Sequence, residues 1–207
     1  MKPEKPKGPI DPEQFLNPRS APFVDPRFRG NLPHLEKPGC SYFVTFCLFD
    51  VAPKRSETRQ LTELQDDPAA LAARSEPSTS GSCLLRDPQA ARIVEDSLLH
   101  FQGDRYALSA WCVMPNHVHA VVTPYHPRNL LEILHSWKSF TAHAINKQLN
   151  RTGSVWQEES FDHLIRRPEA FEGFVSYVEN NPVAAGLAAT AEEWPFSSAR
   201  FRIPERS

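Results

Sequence analysis

Several familiar signals are missing from this chain of 207 residues. Its cysteines, Cys40, Cys47, Cys83 and Cys112, include no C-x-x-C pair. Scattered thiols of that kind argue against a disulfide framework or a cysteine zinc site, and fit reduced side chains in a reducing compartment. The opening M-K-P-E-K-P-K-G-P holds no apolar stretch of the secretory kind, and no later run approaches a bilayer span. The expectation is a soluble cytoplasmic protein with no membrane partner. Positive charge is short as well: Lys and Arg number 23 against 25 acidic residues, for a net charge of −2 and a pI near 6.4. That total excludes a polycation but leaves room for a local basic patch. No internal repeat is present.

Proline is plentiful, 20 in all, and unevenly placed. Residues 1–30 combine Pro, Lys, Arg and Asp without periodicity, which predicts a mostly disordered Pro-rich arm. It runs into R-F-R-G-N-L-P-H, with Arg27, Arg29 and His34. Residues 54–86 predict a flexible insertion, S-E-P-S-T-S-G-S being its clearest loop signal. The remainder of 31–200 is expected to be one domain, with 201–207 as a tail.

Within that domain the periodicities are clear. S-Y-F-V-T-F-C-L-F is β-branched and aromatic, and predicts a strand buried on both faces. D-P-Q-A-A-R-I-V-E-D-S-L-L-H-F opens with an Asp cap and a first-turn Pro, then repeats apolar residues at helical spacing. R-Y-A-L-S-A-W-C-V and N-H-V-H-A-V-V-T read as strands joined by a turn at M-P-N. A long amphipathic helix starts at N-L-L-E-I-L-H-S-W-K, and V-W-Q-E-E-S-F-D-H-L-I is a short extended region. P-E-A-F-E-G-F-V-S-Y-V-E-N-N-P predicts a last helix stopped by Pro182. The fold class is therefore α+β: an antiparallel sheet with helices mainly on one face.

His117 and His119 stand two apart on a strand, so both project to one face. Two imidazoles on a face make a divalent-metal platform that needs a third ligand. The plainer alternative is a pair of hydrogen-bonded strand histidines. Tyr177 and Asn181 are four apart on the last helix and share its face. An amide oxygen suits a hard cation, and a phenol one turn away is a plausible nucleophile for a phosphodiester. Alternatively, Tyr177 packs at a helix end and Asn181 caps it.

Taken in order, M-P-N-H-V-H, H-S-W-K-S-F-T-A, W-Q-E-E-S-F-D-H-L-I-R, Y-V-E-N-N-P-V-A-A-G-L and W-P-F-S-S-A resemble the single-tyrosine HUH transposases. The likeness is greatest to the REP-associated tyrosine transposases, and L-P-H-L-E-K-P-G-C-S-Y-F-V-T-F upstream fits the same group. The resemblance implies a ferredoxin-like (RRM-like) sheet with the histidine strand central and the tyrosine helix beside it. It implies Mg²⁺ or Mn²⁺ on His117, His119 and Asn181, with Tyr177 as nucleophile. It further implies cutting of single-stranded DNA beside small hairpins, leaving a 5′-phosphotyrosine and a free 3′-OH. A monomer or homodimer in the bacterial cytoplasm, associated with the nucleoid, is expected.

Weaker DNA-binding candidates are Lys138, Trp156, His163, Arg166 and Arg167, together with Arg27, Arg29 and His34 on the arm. Lys138 would neutralise phosphate or else lie solvated on its helix, and Trp156 would stack a base or else be core. His163 has a strand-edge role as its alternative. Two other functions stay open: a hairpin-binding regulator of repeat elements that does not cut, and a metal-dependent hydrolase using water. The histidines, read as lining a surface cleft, are expected to add little stability.

Overall fold

The computed structural model describes residues 39–51 and 81–202, together with the backbone of a short hairpin further upstream. In that hairpin β1 (Arg27–Arg29) pairs antiparallel with β2 (Leu32–His34). It lies where the arm was expected to end. The side chains of Arg27, Arg29 and His34, residues 1–26 of the arm, 54–80 of the insertion and 203–207 of the tail lie outside the described residues.

Four strands build the main sheet: β3 (Tyr42–Cys47), β4 (Tyr106–Val113), β5 (His117–Pro124) and β6 (Phe161–Leu164). Their order across the sheet is β4-β5-β3-β6, and every neighbouring pair is antiparallel. Helix α1 (Pro88–His100) follows β3, α2 (Leu130–Gln148) follows β5, and α3 (Pro168–Ala184) follows β6. Strand-helix-strand-strand-helix-strand with the first strand inside the sheet is the ferredoxin-like arrangement. The α+β class is as expected, and α3 is an addition to it.

Local chemistry sets the element ends. The Asp87 carboxylate accepts from the amides of Gln89 (2.8 Å) and Ala90 (3.0 Å), with Pro88 in the first turn of α1. Asn129 caps α2 through the Glu132 amide at 2.9 Å. Met114, Pro115 and Asn116 make the turn between β4 and β5, closed by the Met114 amide on the His117 carbonyl at 2.9 Å.

The central strands are buried on both sides because helices cover both. Tyr42, Val44 and Phe46 of β3 and Val118, Ala120 and Val122 of β5 pack with Val94, Leu98, Ile133, Leu134 and Trp137 of α1 and α2. On the opposite face, Phe43, Ala110, Cys112 and Val121 pack with Ala170, Phe174, Val175 and Val178 of α3. Among the described residues, α1 and α2 thus share one face and α3 covers the other.

One expected boundary is corrected. Pro182 does not stop α3, which continues to Ala184. A proline this close to a C-terminus gives up a single helical hydrogen bond, and the final turn survives it. The stop is Gly186, at a φ of 68°. Its amide reaches the Val183 carbonyl at 2.9 Å and the Leu187 amide reaches that of Pro182 at 2.8 Å. This is the paired closure that a left-handed glycine permits. Asn181 is consequently a helix-interior residue and not its cap.

Candidate metal and nucleophile site

β5 lies between β4 and β3, so His119 faces its cross-strand partners Thr45 and Cys112. The Nε2 atoms of His117 and His119 approach to 2.9 Å, with ring centroids 4.5 Å apart. Each outer nitrogen is held as well. His117 Nδ1 lies 2.7 Å from Asn116 Oδ1, and His119 Nδ1 lies 2.7 Å from Thr45 Oγ1. An amide oxygen only accepts, so the His117 proton belongs on Nδ1 and its Nε2 turns a lone pair toward His119. The narrow gap between the rings takes one proton or one cation. A Thr hydroxyl suits either state, because it donates to a bare Nδ1 and accepts from a protonated one.

The fit to a divalent ion can be tested on that geometry. Two nitrogens bound side by side at about 2.1 Å to one octahedral cation stand about 3.0 Å apart. The observed 2.9 Å meets this. Among the described residues no cluster of three or more His, Cys, Asp or Glu side chains converges as a ligand set. A third ligand drawn from the described residues is therefore of another kind, for which an amide oxygen qualifies.

Tyr177 projects from α3 toward the same place. Its ring sits 5.4 Å from that of His119 and meets Phe43 edge-on at 5.7 Å. The Asn181 amide Nδ2 donates to the Tyr177 hydroxyl at 3.1 Å, the contact expected of an i, i+4 pair. Phe43 also stacks on His119 at 5.6 Å and on Phe174 at 5.3 Å, an apolar wall behind the polar groups. Strand alternation and helix periodicity thus bring His117, His119, Tyr177 and Asn181 into one neighbourhood.

Burial corrects the picture of a surface cleft. His117 is 4% exposed, His119 0% and Asn181 3%, with Tyr177 half-buried. The histidines are part of the packing under α3.

The weaker candidates fare differently. Trp156 presents no face to a base: its indole is buried, meets Phe46 edge-on at 4.9 Å and donates to Thr141 Oγ1 at 2.8 Å. The stacking expectation is corrected to a core role. His163 is also buried, on edge strand β6 with its ring 5.6 Å from Phe174, so it lines no open groove. Lys138 donates to the Glu158 carbonyl at 2.8 Å and to Ser160 Oγ at 3.2 Å, which ties α2 to the segment before β6. Arg167 is the N-cap of α3 and Arg166 precedes it, ten and eleven residues before Tyr177, about 15 Å along the axis. Thr45 and Asn116, which orient the imidazoles, carried little signal in the sequence. M-P-N reads as a turn, and the partner of Thr45 depends on strand register.

A ferredoxin-like sheet with a histidine pair on a central strand and a helix-borne tyrosine against it defines a class of protein, and comparison specifies it. Residues 95–181 match the family described as "Transposase IS200 like". A REP-associated tyrosine transposase of Escherichia coli is 26% identical over 111 residues, covering 52% of this chain and 63% of that protein. A relative from Haemophilus influenzae is 28% identical over 99 residues, covering 43% of this chain and 56% of its own length. The chain therefore spans less than two thirds of either curated relative. A solved structure of a REP-associated tyrosine transposase bound to a REP hairpin shares the fold, with a TM-score of 0.55 at 21% identity. That match covers 84% of this chain and 83% of the other. The chain is similar in part of its length to the IS200-like transposases, and in sequence and fold to REP-associated tyrosine transposases.

Proposed function

We propose that this protein is a metal-dependent endonuclease and strand transferase for single-stranded DNA at hairpin-forming repeats, with Tyr177 as its nucleophile. One observation carries the reading: the Tyr177 hydroxyl is held by Asn181 while its ring rests on His119, one half of the facing imidazole pair. The similarity to REP-associated tyrosine transposases supports the substrate class.

His117 and His119 would hold Mg²⁺ or Mn²⁺ through Nε2, and Asn181 through its amide oxygen. A bound ion of this kind polarises phosphoryl oxygens and offsets charge on the pentavalent transition state. The protein's own residues do the rest. The Tyr177 oxygen attacks phosphorus and gives up its proton. The bond to the 3′ oxygen breaks, leaving a 5′-phosphotyrosine and a free 3′-OH. Attack by a 3′-OH on that ester rejoins a strand and releases Tyr177. Asn181 aims the phenol and stabilises the phenolate as the link is broken and remade. Phe43 and Phe174 keep water from the rear of the site.

Among the described residues no helix is long and apolar enough to cross a membrane. We place the protein in the bacterial cytoplasm at the nucleoid, as a monomer or homodimer, with hairpin DNA as its partner.

The deciding experiment is incubation of labelled single-stranded hairpin DNA with the protein and Mg²⁺ or Mn²⁺, followed by denaturing electrophoresis. A covalent protein–DNA adduct is expected from the parent and none from Tyr177→Phe. Cleavage without adduct would convert the reading to a water-using hydrolase. Binding without cleavage would leave a hairpin-binding regulator.

A further inference from the structure

The motif W-P-F-S-S-A is unexplained by the chemistry above, yet it makes some of the best-directed contacts in the molecule. After α3 the chain returns along the outer edge of β4. The Val113 amide donates to the Phe196 carbonyl at 2.9 Å, Ser197 bridges to Cys112, and the Trp111 amide donates to Ser198 Oγ at 3.1 Å. Trp194 closes the start of this strap by donating Nε1 to the Val113 carbonyl at 3.0 Å. An open sheet edge is thereby covered.

Two buried carboxylates then fasten the strap to helices on opposite faces of the sheet. On α1, Glu95 is 0% exposed and accepts from Arg200 at 2.9 Å, from Arg92 at 2.9 Å and from Trp111 Nε1 at 3.2 Å. On α3, Glu179 is 6% exposed and accepts from Ser198 Oγ at 2.7 Å and from Arg202 Nε. Glu179 lies midway between Tyr177 and Asn181 in sequence, on the flank of α3 turned toward β4. The apolar seat of the helix, Ala170, Phe174, Val175 and Val178, is non-directional and resists rotation about the axis weakly. A charge-assisted pair of hydrogen bonds to a carboxylate fixes direction as well as distance.

We propose that the strap from Trp194 to Arg202 is a clasp that sets the rotation of α3, with Glu179 as the positioning residue that aims Tyr177 and Asn181 at the histidine pair. The consequence for cleavage rests on the function proposed above. The clasp itself does not.

The test uses the full-length protein carrying 3-fluorotyrosine at position 177, so that the fluorine resonance reports the phenol's surroundings without any reaction. In Arg202→Gln and Glu179→Gln this resonance is expected to shift or broaden, while amides of α1 and α2 keep their exchange protection. The charge-swapped pair Glu179→Arg with Arg202→Glu should restore the parental resonance in large part. In parallel, single-turnover adduct formation on hairpin DNA should slow about 10-fold to 100-fold, the scale of a misplacement near 1 Å, with hairpin affinity within about 2-fold of the parent. An unmoved resonance overturns the clasp, as does protection lost equally from all three helices. A moved resonance with an unchanged adduct rate overturns its role in positioning. A parent that forms no adduct, with the resonance still moving, leaves the clasp standing and fells the transposase reading instead.

Discussion

The two faces of the sheet are both dry, but they are dry in different ways. Under α1 and α2 the buried side chains are mostly apolar, and the exceptions Glu95 and Thr141 each accept from a tryptophan indole, of Trp111 and of Trp156. Trp137 Nε1 donates to the Tyr106 hydroxyl at 2.9 Å, which donates to the Leu98 carbonyl at 2.7 Å. Under α3 the apolar cluster is smaller, and Thr45, His119, His163, Glu179 and Asn181 are buried in or beside it. Polar groups are costly to bury, so their concentration on one face needs a reason beyond cohesion. On the function proposed above, one face holds the domain together while the other holds the groups that react. The added helix α3 makes the second face possible. Without it, His119 and Phe43 would lie on an open sheet.

Each face contributes a tyrosine, and the pair gives the sharpest way to break that division. Tyr177→Phe should lower adduct formation by about four orders of magnitude or more, because the attacking atom is gone. It should shift unfolding by only about 1 kcal/mol, since the phenol is half-buried and gives up its hydrogen bond from Asn181. Parallel measurement of adduct yield, hairpin affinity and thermal midpoint checks this. Retained cleavage in the variant sinks the nucleophile assignment.

His119→Ala should be next in size. Loss of a ligand is expected to slow cleavage roughly 100-fold to 1,000-fold, equivalent to a few kcal/mol of transition-state stabilisation, and EDTA should have a comparable effect on the parent. The buried, Phe43-stacked ring means that stability falls too, by about 1–3 kcal/mol. That stability cost reverses the expectation from sequence. Full activity of the alanine variant in chelator would make the pair a packing feature of this face.

Most of the scaffold was legible from periodicity. Alternation located β3, β4 and β5, an Asp cap located α1, amphipathic spacing located α2, and the two periods placed the four site residues on common faces. Three things escaped for physical reasons. Trp156 and His163 are polar-tipped rings whose burial depends on which neighbours arrive from far along the chain. Thr45 and Asn116 orient the imidazoles through strand register and a turn rotamer, neither of which has a sequence period. Pro182 misled because its cost in a helix depends on how many turns remain after it, and here few do.

The cohesive face offers the third test. Trp137→Ala removes a ring that is 1% exposed and should cost about 3–5 kcal/mol. Protein that remains folded at low temperature should still form the adduct at close to the parental rate. A loss of adduct much larger than the loss of folded protein would mean that the two faces are coupled and that their separation is only apparent.

Tyr106 gives the smallest effect and the most specific one. Burial pushes its phenol above the ordinary 10.0, against the opposing influence of its Trp137 hydrogen bond. A group neutral in the fold and ionised more readily when unfolded lends stability that is complete below its unfolded value. That contribution is lost as pH rises through 10.0 toward the higher folded value. Between those two values the parent should therefore lose stability faster than Tyr106→Phe, by up to about 1.4 kcal/mol per pH unit for one proton. Near neutrality the order is opposite. The phenylalanine variant is the less stable by about 1–3 kcal/mol, because the Leu98 carbonyl and the Trp137 indole lose their partner. The gap between the two proteins should thus narrow as pH rises above 10.0 in thermal or urea unfolding, other titrating groups being common to both. Parallel slopes over that range would show the Tyr106 phenol to be as accessible to solvent in the fold as out of it. The face under α1 and α2 would then be wetter than its packing indicates.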